Sequence, residues 1–180
     1  LSCIALSLLP DYGKMRSLSF DGVNDKVTFA TDGLLPVGFT FEARLKTPVG
    51  IVQERPIFVT QANEVYIAVA ESGGFYIKTA SPAGGNLITT ELINDGLWHH
   101  VAAVIDGTNL IAYIDGARVK TVAKTFAAVV SRWTIGNSPT HADLDWFSGE
   151  LSEVRVWDDV RTDAEVSEFS KCDVIQSNEK

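Results

Sequence analysis

Hydrophobic and polar residues alternate along much of this chain with a period of two, which indicates β-strands rather than helices. The clearest run is Phe39–Lys46, in which Phe39, Phe41, Ala43 and Leu45 share one face. The polar side chains on the other face are Thr40, Glu42, Arg44 and Lys46. This pattern predicts a half-buried antiparallel strand whose second face meets water.

Asp-Gly and Gly-Gly pairs separate further runs of this kind. Asp115, at the end of the run 110–115, and Gly116, just before the run 117–124, predict a two-residue hairpin turn. Many short strands at even spacing predict an all-β fold. The specific prediction is a two-sheet antiparallel jelly-roll sandwich with about six strands in each sheet.

The C-terminal part of the chain adds one short helix to this prediction. Thr162 and Glu165 form a capping-box pattern, and Val166 follows on the face that would dock. Just before this helix, the run 150–157 changes parity, so we expect a β-bulge near Ser152 and Glu153.

Length and charge narrow the class of protein. The 180 residues suit a single domain over 1–180, and 46% apolar residues are typical of a globular chain. The net charge of −8 repels phosphate backbones, which argues against nucleic acid as a partner. No apolar run reaches the length of about 18 residues that a membrane span needs. The excess of carboxylates leaves calcium as a candidate ligand.

The two ends of the chain raise separate questions. Residues 1–10 resemble part of a secretory signal, but they lack a basic start, so we expect a packed first strand. A first residue of Leu suggests a module of a longer protein, and processing of a precursor would give the same start. Cys3 and Cys172 lie near opposite ends and predict a disulfide, which requires an oxidising compartment. The alternative is two unpaired cysteines.

A series of motifs, in order along the chain, resembles the laminin-G-like domains of the concanavalin A-like jelly-roll superfamily. The motifs are 17–27, 39–43, 98–102 with 113–116, 133–136 and 147–157. The later half of the chain also resembles pentraxins. The resemblance implies two curved antiparallel sheets in an extracellular binding module, often for glycans and often with calcium.

Histidine and tryptophan residues lie within the strand motifs. His99 and His100 are adjacent on a strand, so their side chains point to opposite faces and cannot share a metal ion. We expect one to be buried with a hydrogen-bonded ring and the other to be exposed. Trp98, Trp133 and Trp157 are predicted to pack in the core.

The polar stretch 137–146 holds the candidate ligand-binding residues Trp146 and His141. An exposed Trp146 indole would stack on a sugar ring; alternatively, Trp146 begins the next strand and packs inward. The pentraxin resemblance adds Asn63 from another loop. Uncharged residues stand at three positions where that resemblance implies calcium ligands, which argues against a pentraxin-type calcium pair: Ala62, Ser138 and Thr140.

A second cation site follows from the expected strand pairing. If 18–20 pairs antiparallel with 151–157, the 21–25 turn approaches the stretch that contains Asp143 and Asp145. Asp21 and Asp25 would then join one of these aspartates around a calcium ion. The alternative is that Asp21 and Asp25 only cap their own turn through bonds to the backbone.

Catalytic motifs known for this fold are absent from the sequence. No Glu-x-Asp-x-x-Glu string supplies the paired carboxylates of a retaining glycosidase, and there is no Gly-x-Ser-x-Gly elbow. The resemblance, with these motifs absent, implies a non-catalytic extracellular binding or adhesion module for glycans or glycoproteins. Two alternatives stay open: a structural or protein-binding spacer, and a polysaccharide-cleaving enzyme on the same fold.

Overall fold

Antiparallel β-strands and one helix make up the part of the chain that the computed structural model describes, residues 17–50, 53–61, 64–80, 85–139 and 146–171. The elements in chain order are β1 (Leu18–Asp21), β2 (Val27–Thr28), β3 (Gly33–Leu35), β4 (Phe39–Lys46), β5 (Arg55–Thr60), β6 (Val65–Val69), β7 (Gly74–Thr79), β8 (Leu87–Leu92), β9 (Trp98–Ile105), β10 (Asn109–Ile114), β11 (Ala117–Ala123), β12 (Val129–Ser131), β13 (Trp133–Ile135), β14 (Ser148–Trp157) and α1 (Asp163–Ser170).

Two six-stranded sheets contain most of these strands. Sheet A has the order β1-β14-β4-β9-β10-β11, and sheet B has the order β2-β13-β5-β6-β7-β8. This confirms the predicted sandwich of two antiparallel sheets. A separate two-stranded sheet pairs β12 with β3 and was not predicted. Each of these strands has three residues, too few to show a period-two pattern.

The core lies between the two sheets. The four apolar side chains of β4 are fully buried there, as the alternation predicts. Phe41 packs on Phe58 of sheet B with ring centroids 5.2 Å apart, and Phe58 packs on Trp133 at 5.6 Å. Burying a ring of this size contributes about 1.5–3 kcal/mol. The Phe41–Phe58 contact therefore helps to hold the two sheets together, while the Phe58–Trp133 contact packs neighbouring strands of sheet B.

Three local predictions are confirmed. Asp115 and Gly116 have φ angles of 51° and 79°, and this pair of positive values matches a two-residue hairpin turn. The pairing of β14 with β4 shifts register between Ser152 and Arg155, which is the expected bulge. β1 pairs antiparallel with β14, with Asp21 opposite Ser148.

The second face of β4 is covered at Thr40 and Glu42, so the expectation that these two side chains meet water is wrong, while Arg44 and Lys46 remain partly exposed. Both side chains are 0% exposed. Thr40 Oγ1 donates to the carbonyl oxygen of Asp159 at 2.9 Å and accepts from the amide of Arg161 at 3.0 Å. The residues that cover this face are more than 100 positions away in sequence, so the pattern within β4 could not reveal them.

Helix α1 forms part of that cover. It begins at Thr162 with the predicted capping box to Glu165. Val166 is fully buried against outward-facing residues of β9 and β10 in sheet A: Ala102, Val104, Ile111 and Tyr113. Across the described ranges, no helix has both the length and the apolar character to cross a membrane.

Two predictions concern the chain ends, which lie outside the described residues. They are the packed first strand over 1–10 and the disulfide between Cys3 and Cys172. Both stay predictions, as does the assignment of 1–180 to a single domain.

Candidate functional site

Strand pairing brings several candidate residues to one end of the sandwich. Asp21 lies opposite Ser148 at the start of β14, and β14 in turn pairs with β4 close to Lys46. We call the surface formed by the 21–26 turn, Arg55, Trp146 and Ser148 the Asp21 rim.

The 21–26 turn is held by its own aspartates. Asp21 Oδ1 accepts hydrogen bonds from the amides of Val23 at 2.8 Å and Asn24 at 3.2 Å. Asp25 Oδ2 accepts from the amide of Asp21 at 2.9 Å. The amides of Val23 and Asn24 hold the pKa of Asp21 below its usual value. These two carboxylates therefore cap the turn, which is the alternative role that the sequence left open.

Close packing at the rim explains why Gly22 is a glycine. Its φ angle is +80°, and a Cβ atom there would lie 2.9 Å from the Cβ of Ser148. Both the backbone conformation and the contact exclude a larger side chain without a shift. The turn is thereby fixed close against β14.

Trp146 presents a half-buried indole at this rim. It forms an isolated antiparallel bridge with Asn137 and precedes β14. The exposed ammonium group of Lys26 lies 5.7 Å from the centroid of the indole ring. Part of the ring is therefore reachable from solvent, beside a positive charge.

Arg55 is a rim residue that the sequence analysis missed. It begins β5, and its Nη1 atom lies 3.4 Å from the position that a Gly22 Cβ would occupy. Its Nε atom is buried and has no hydrogen-bond partner among the described residues, and burial lowers the pKa of the guanidinium. One arginine before a proline is no motif, so only the fold could identify it.

The remaining predicted site residues fall outside the described ranges: Asn63, His141, Asp143 and Asp145. Gln61 and Glu64 flank position 63. The Gln61 amide donates to the carbonyl oxygen of Arg132, at the far end of β5 from Arg55. A strand of this length spans about 17–20 Å. The structure thus joins Trp146 with Asp21 and Asp25, and separates the flanks of Asn63 from them.

The described rim residues supply only part of a calcium ligand shell. Calcium takes about six to eight oxygen ligands, and this rim offers two carboxylates that already cap a turn. No group of three or more His, Cys, Asp or Glu residues within metal-binding distance occurs among the described residues. A calcium ion here would need Asp143 or Asp145 as a further ligand.

His99 and His100 differ from the expectation in which of the two rings is hydrogen-bonded. His99 is the hydrogen-bonded ring, with Nδ1 2.8 Å from Asp115 Oδ2 and Nε2 3.1 Å from Asp95 Oδ1. Burial alone would lower the pKa of His99, but the bonds to Asp115 and Asp95 outweigh it and raise the pKa. His100 is buried, and neither of its ring nitrogens has a hydrogen-bond partner in the part of the chain that the structure describes. Burial lowers the pKa of His100 to about 4.

The tryptophan predictions hold in part. Trp133 lies in the core, but Trp98 and Trp157 are half-buried. Trp157 instead stacks on the covered outer face of sheet A, where the guanidinium of Arg161 lies 4.2 Å from its ring centroid. Glu42 shares this covered face, and burial raises the pKa of its carboxyl. Because α1 and its flanking residues cover this face, the Asp21 rim is the candidate site considered below.

A family model described as the concanavalin A-like lectin/glucanases superfamily matches residues 21–167. A search of curated proteins finds no match. Similar solved structures include a heptameric SAP-like pentraxin from Limulus polyphemus, with 22% identity, a TM-score of 0.70, and coverage of 89% of this chain and 83% of the pentraxin.

Two further structural matches come from enzyme-associated domains. Domain 4 of AbnA, an extracellular GH43 arabinanase from Geobacillus stearothermophilus solved with arabinotriose, has 15% identity, a TM-score of 0.66, and coverage of 94% of this chain and 87% of that domain. The CBM40 of the Ruminococcus gnavus IT-sialidase, bound to α2,3-sialyllactose, has 13% identity, a TM-score of 0.62, and coverage of 88% and 100%. At these identities the likeness shows the fold alone.

Proposed function

The chain belongs to the concanavalin A-like lectin/glucanases superfamily, and from this membership we propose that it is a non-catalytic carbohydrate-binding module that acts outside the cell. The observation that carries the proposal is the half-buried Trp146 indole at the Asp21 rim. Two of the similar structures hold bound sugars, arabinotriose and α2,3-sialyllactose, which supports this ligand class. The description of the arabinanase as extracellular supports the location.

Binding at this rim would combine stacking with hydrogen bonds. The flat face of the Trp146 indole would pack on the apolar face of a sugar ring. Lys26 and Arg55 supply N–H donors, and the Ser148 hydroxyl both donates and accepts. Shallow contact of this kind suits a module that holds a glycan without cleaving it.

Trp146→Ala is expected to weaken glycan binding by at least about tenfold, because it removes the stacking surface. The measurement is a glycan array with the full chain, followed by calorimetric titration of the best ligand. Trp146→Phe should retain part of the affinity, and Leu97→Ala, which removes an exposed apolar side chain before β9, should retain all of it. A wild-type protein that binds no glycan would refute the proposed function and favour a spacer domain.

Calcium dependence is a separate part of the proposal and rests on Asp21, Asp25, Asp143 and Asp145. If calcium binds, a concentration about 100 times its Kd should stabilise the fold by about 2.7 kcal/mol and raise the melting temperature by several degrees. The measurement is a thermal melt in calcium and in EGTA. Asp25→Asn should reduce the shift, and an unchanged wild-type melting temperature would refute calcium binding.

A further inference from the structure

We propose that the Asp21 rim selects acidic sugars, and that Arg55 binds the sugar carboxylate. This inference rests on the proposed function, to which it adds the ligand class and a binding residue. It follows from the two cations of the rim, Arg55 and Lys26, neither of which has a carboxylate partner among the described residues.

Arg55 is set up as an anion-binding group. Its Nε atom is buried, and within the described part of the chain the side chain has neither an ion pair nor a hydrogen bond. A buried donor without an acceptor costs free energy, and such groups in native proteins call for an explanation. A carboxylate supplies the missing acceptors, because it accepts two parallel N–H bonds from one guanidinium.

Other arginines of the described chain show that acceptors are readily found in this acidic protein. Each of four others forms an ion pair: Arg118 with Asp163, Arg132 with Asp32, Arg155 with Glu153, and Arg161 with Glu165. With a net charge of −8, carboxylates outnumber cations. An arginine that has no partner among the described residues of such a protein is a candidate to bind an acceptor supplied by a ligand.

Lys26 places a second cation at the same rim. Its ammonium group lies over the Trp146 ring at 5.7 Å, and no carboxylate of the described residues pairs with it. A sugar ring stacked on Trp146 would thus have a positive charge beside it. A lysine charge attracts an anion with little geometric demand, whereas Arg55 would fix its orientation.

The described carboxylates of the rim do not form ion pairs with these cations. One oxygen each of Asp21 and Asp25 accepts from backbone amides of the turn, and neither side chain forms an ion pair with Arg55 or Lys26. The turn therefore holds its own negative charges in place while the cations remain available. This arrangement favours a ligand that combines a sugar ring with a carboxylate.

The test compares acidic glycans with neutral counterparts by calorimetric titration of the full chain. The probes are α2,3-sialyllactose against lactose, and a trigalacturonate against its methyl ester. At least one acidic probe should bind about tenfold more tightly than its counterpart, and raised salt should weaken that binding. Arg55→Gln should abolish the preference, and Lys26→Gln should reduce it severalfold.

Arg132→Gln is the matched control, since Arg132 is an exposed arginine at the other end of β5, and it should leave binding unchanged. A thermal melt checks that each variant folds. If Arg55→Gln does not fold, the effect of the exposed Lys26→Gln variant decides the test.

Equal affinity for acidic and neutral probes would overturn this inference and leave the proposed function standing. If EGTA abolished binding of the acidic glycans, a calcium ion rather than Arg55 would be the group that binds the sugar carboxylate, and the role of Arg55 would be overturned. No binding to any glycan on the array would defeat both.

Discussion

Glu42→Gln is expected to raise the free energy of unfolding at neutral pH by about 1–3 kcal/mol. The Glu42 side chain is 0% exposed, and among the described residues neither carboxylate oxygen accepts a hydrogen bond of standard geometry, although the Trp157 indole lies close enough to offset part of the effect of burial. Charging a carboxyl group in such a place is costly, because burial removes the water that stabilises the charge. Glutamine keeps the shape of the side chain and carries no charge.

The pH dependence of this effect follows from the raised pKa of Glu42. Burial raises it above the usual value of 4.5, while the Trp157 indole and the charges of Arg155 and Arg161 oppose that rise by less. Below pH 4.5 the group is protonated in both states and contributes nothing. As the pH rises, the unfolded chain releases its proton first, so the folded state loses stability until the pH passes the folded pKa.

Urea unfolding of the wild type and Glu42→Gln at about pH 4.5 and about pH 8 measures this difference. The two proteins should be similar in stability at the lower pH and should diverge at the higher one. Glu71→Gln is the matched control, because Glu71 is exposed in the turn before β7 and should change stability by less than about 0.5 kcal/mol. Equal stability at both pH values would contradict the prediction.

Glu42 also marks the limit of what the sequence could predict about the fold. The alternation in β4 correctly identified which side chains enter the core, because that depends on a local period of two. Whether the other face meets water depends on Arg161 and α1, whose position is set by packing across the whole chain. A sequence pattern can identify the two faces of a strand, but not what covers the second.

The candidate site divides in the same way. Turn chemistry around Asp21 and the pairing of β1 with β14 were predictable, since both rest on residue types and strand parity. Arg55 was not predictable, because its significance is an absence of partners in three dimensions. A charged group without a partner is recognised only when each charge of the described surface has been matched with its neighbours.

His100 is expected to make the protein lose stability on acidification. Its pKa is lowered from 6.5 to about 4, mainly by burial and in smaller part by the positive charges of Arg44 and Arg155, while Asp115 opposes them. The folded state therefore keeps the imidazole neutral. As the pH falls from 6.5 to 4, the unfolded chain binds a proton that the folded chain does not, so stability declines.

The expected loss from this one residue is about 3 kcal/mol over that range, at about 1.36 kcal/mol for each pH unit of pKa shift. His100→Phe, which is apolar and similar in size, should remove this part of the acid sensitivity. Urea unfolding at about pH 4.5 and about pH 7.5 measures it. The quantity to compare is the difference in stability between the two pH values. The remaining titratable groups contribute equally to this difference in the wild type and in His100→Phe.

His99→Gln provides the matched control, because the pKa of His99 is shifted in the opposite direction to that of His100. The bonds to Asp115 and Asp95 raise the pKa of His99, so its contribution is fully present below pH 6.5 and is lost as the pH rises through the folded pKa. His99→Gln should therefore cost more stability in acid than in base, whereas His100→Phe should gain relative stability in acid. If both variants changed the pH profile in the same direction, the opposed environments that the structure gives these two adjacent residues would be refuted.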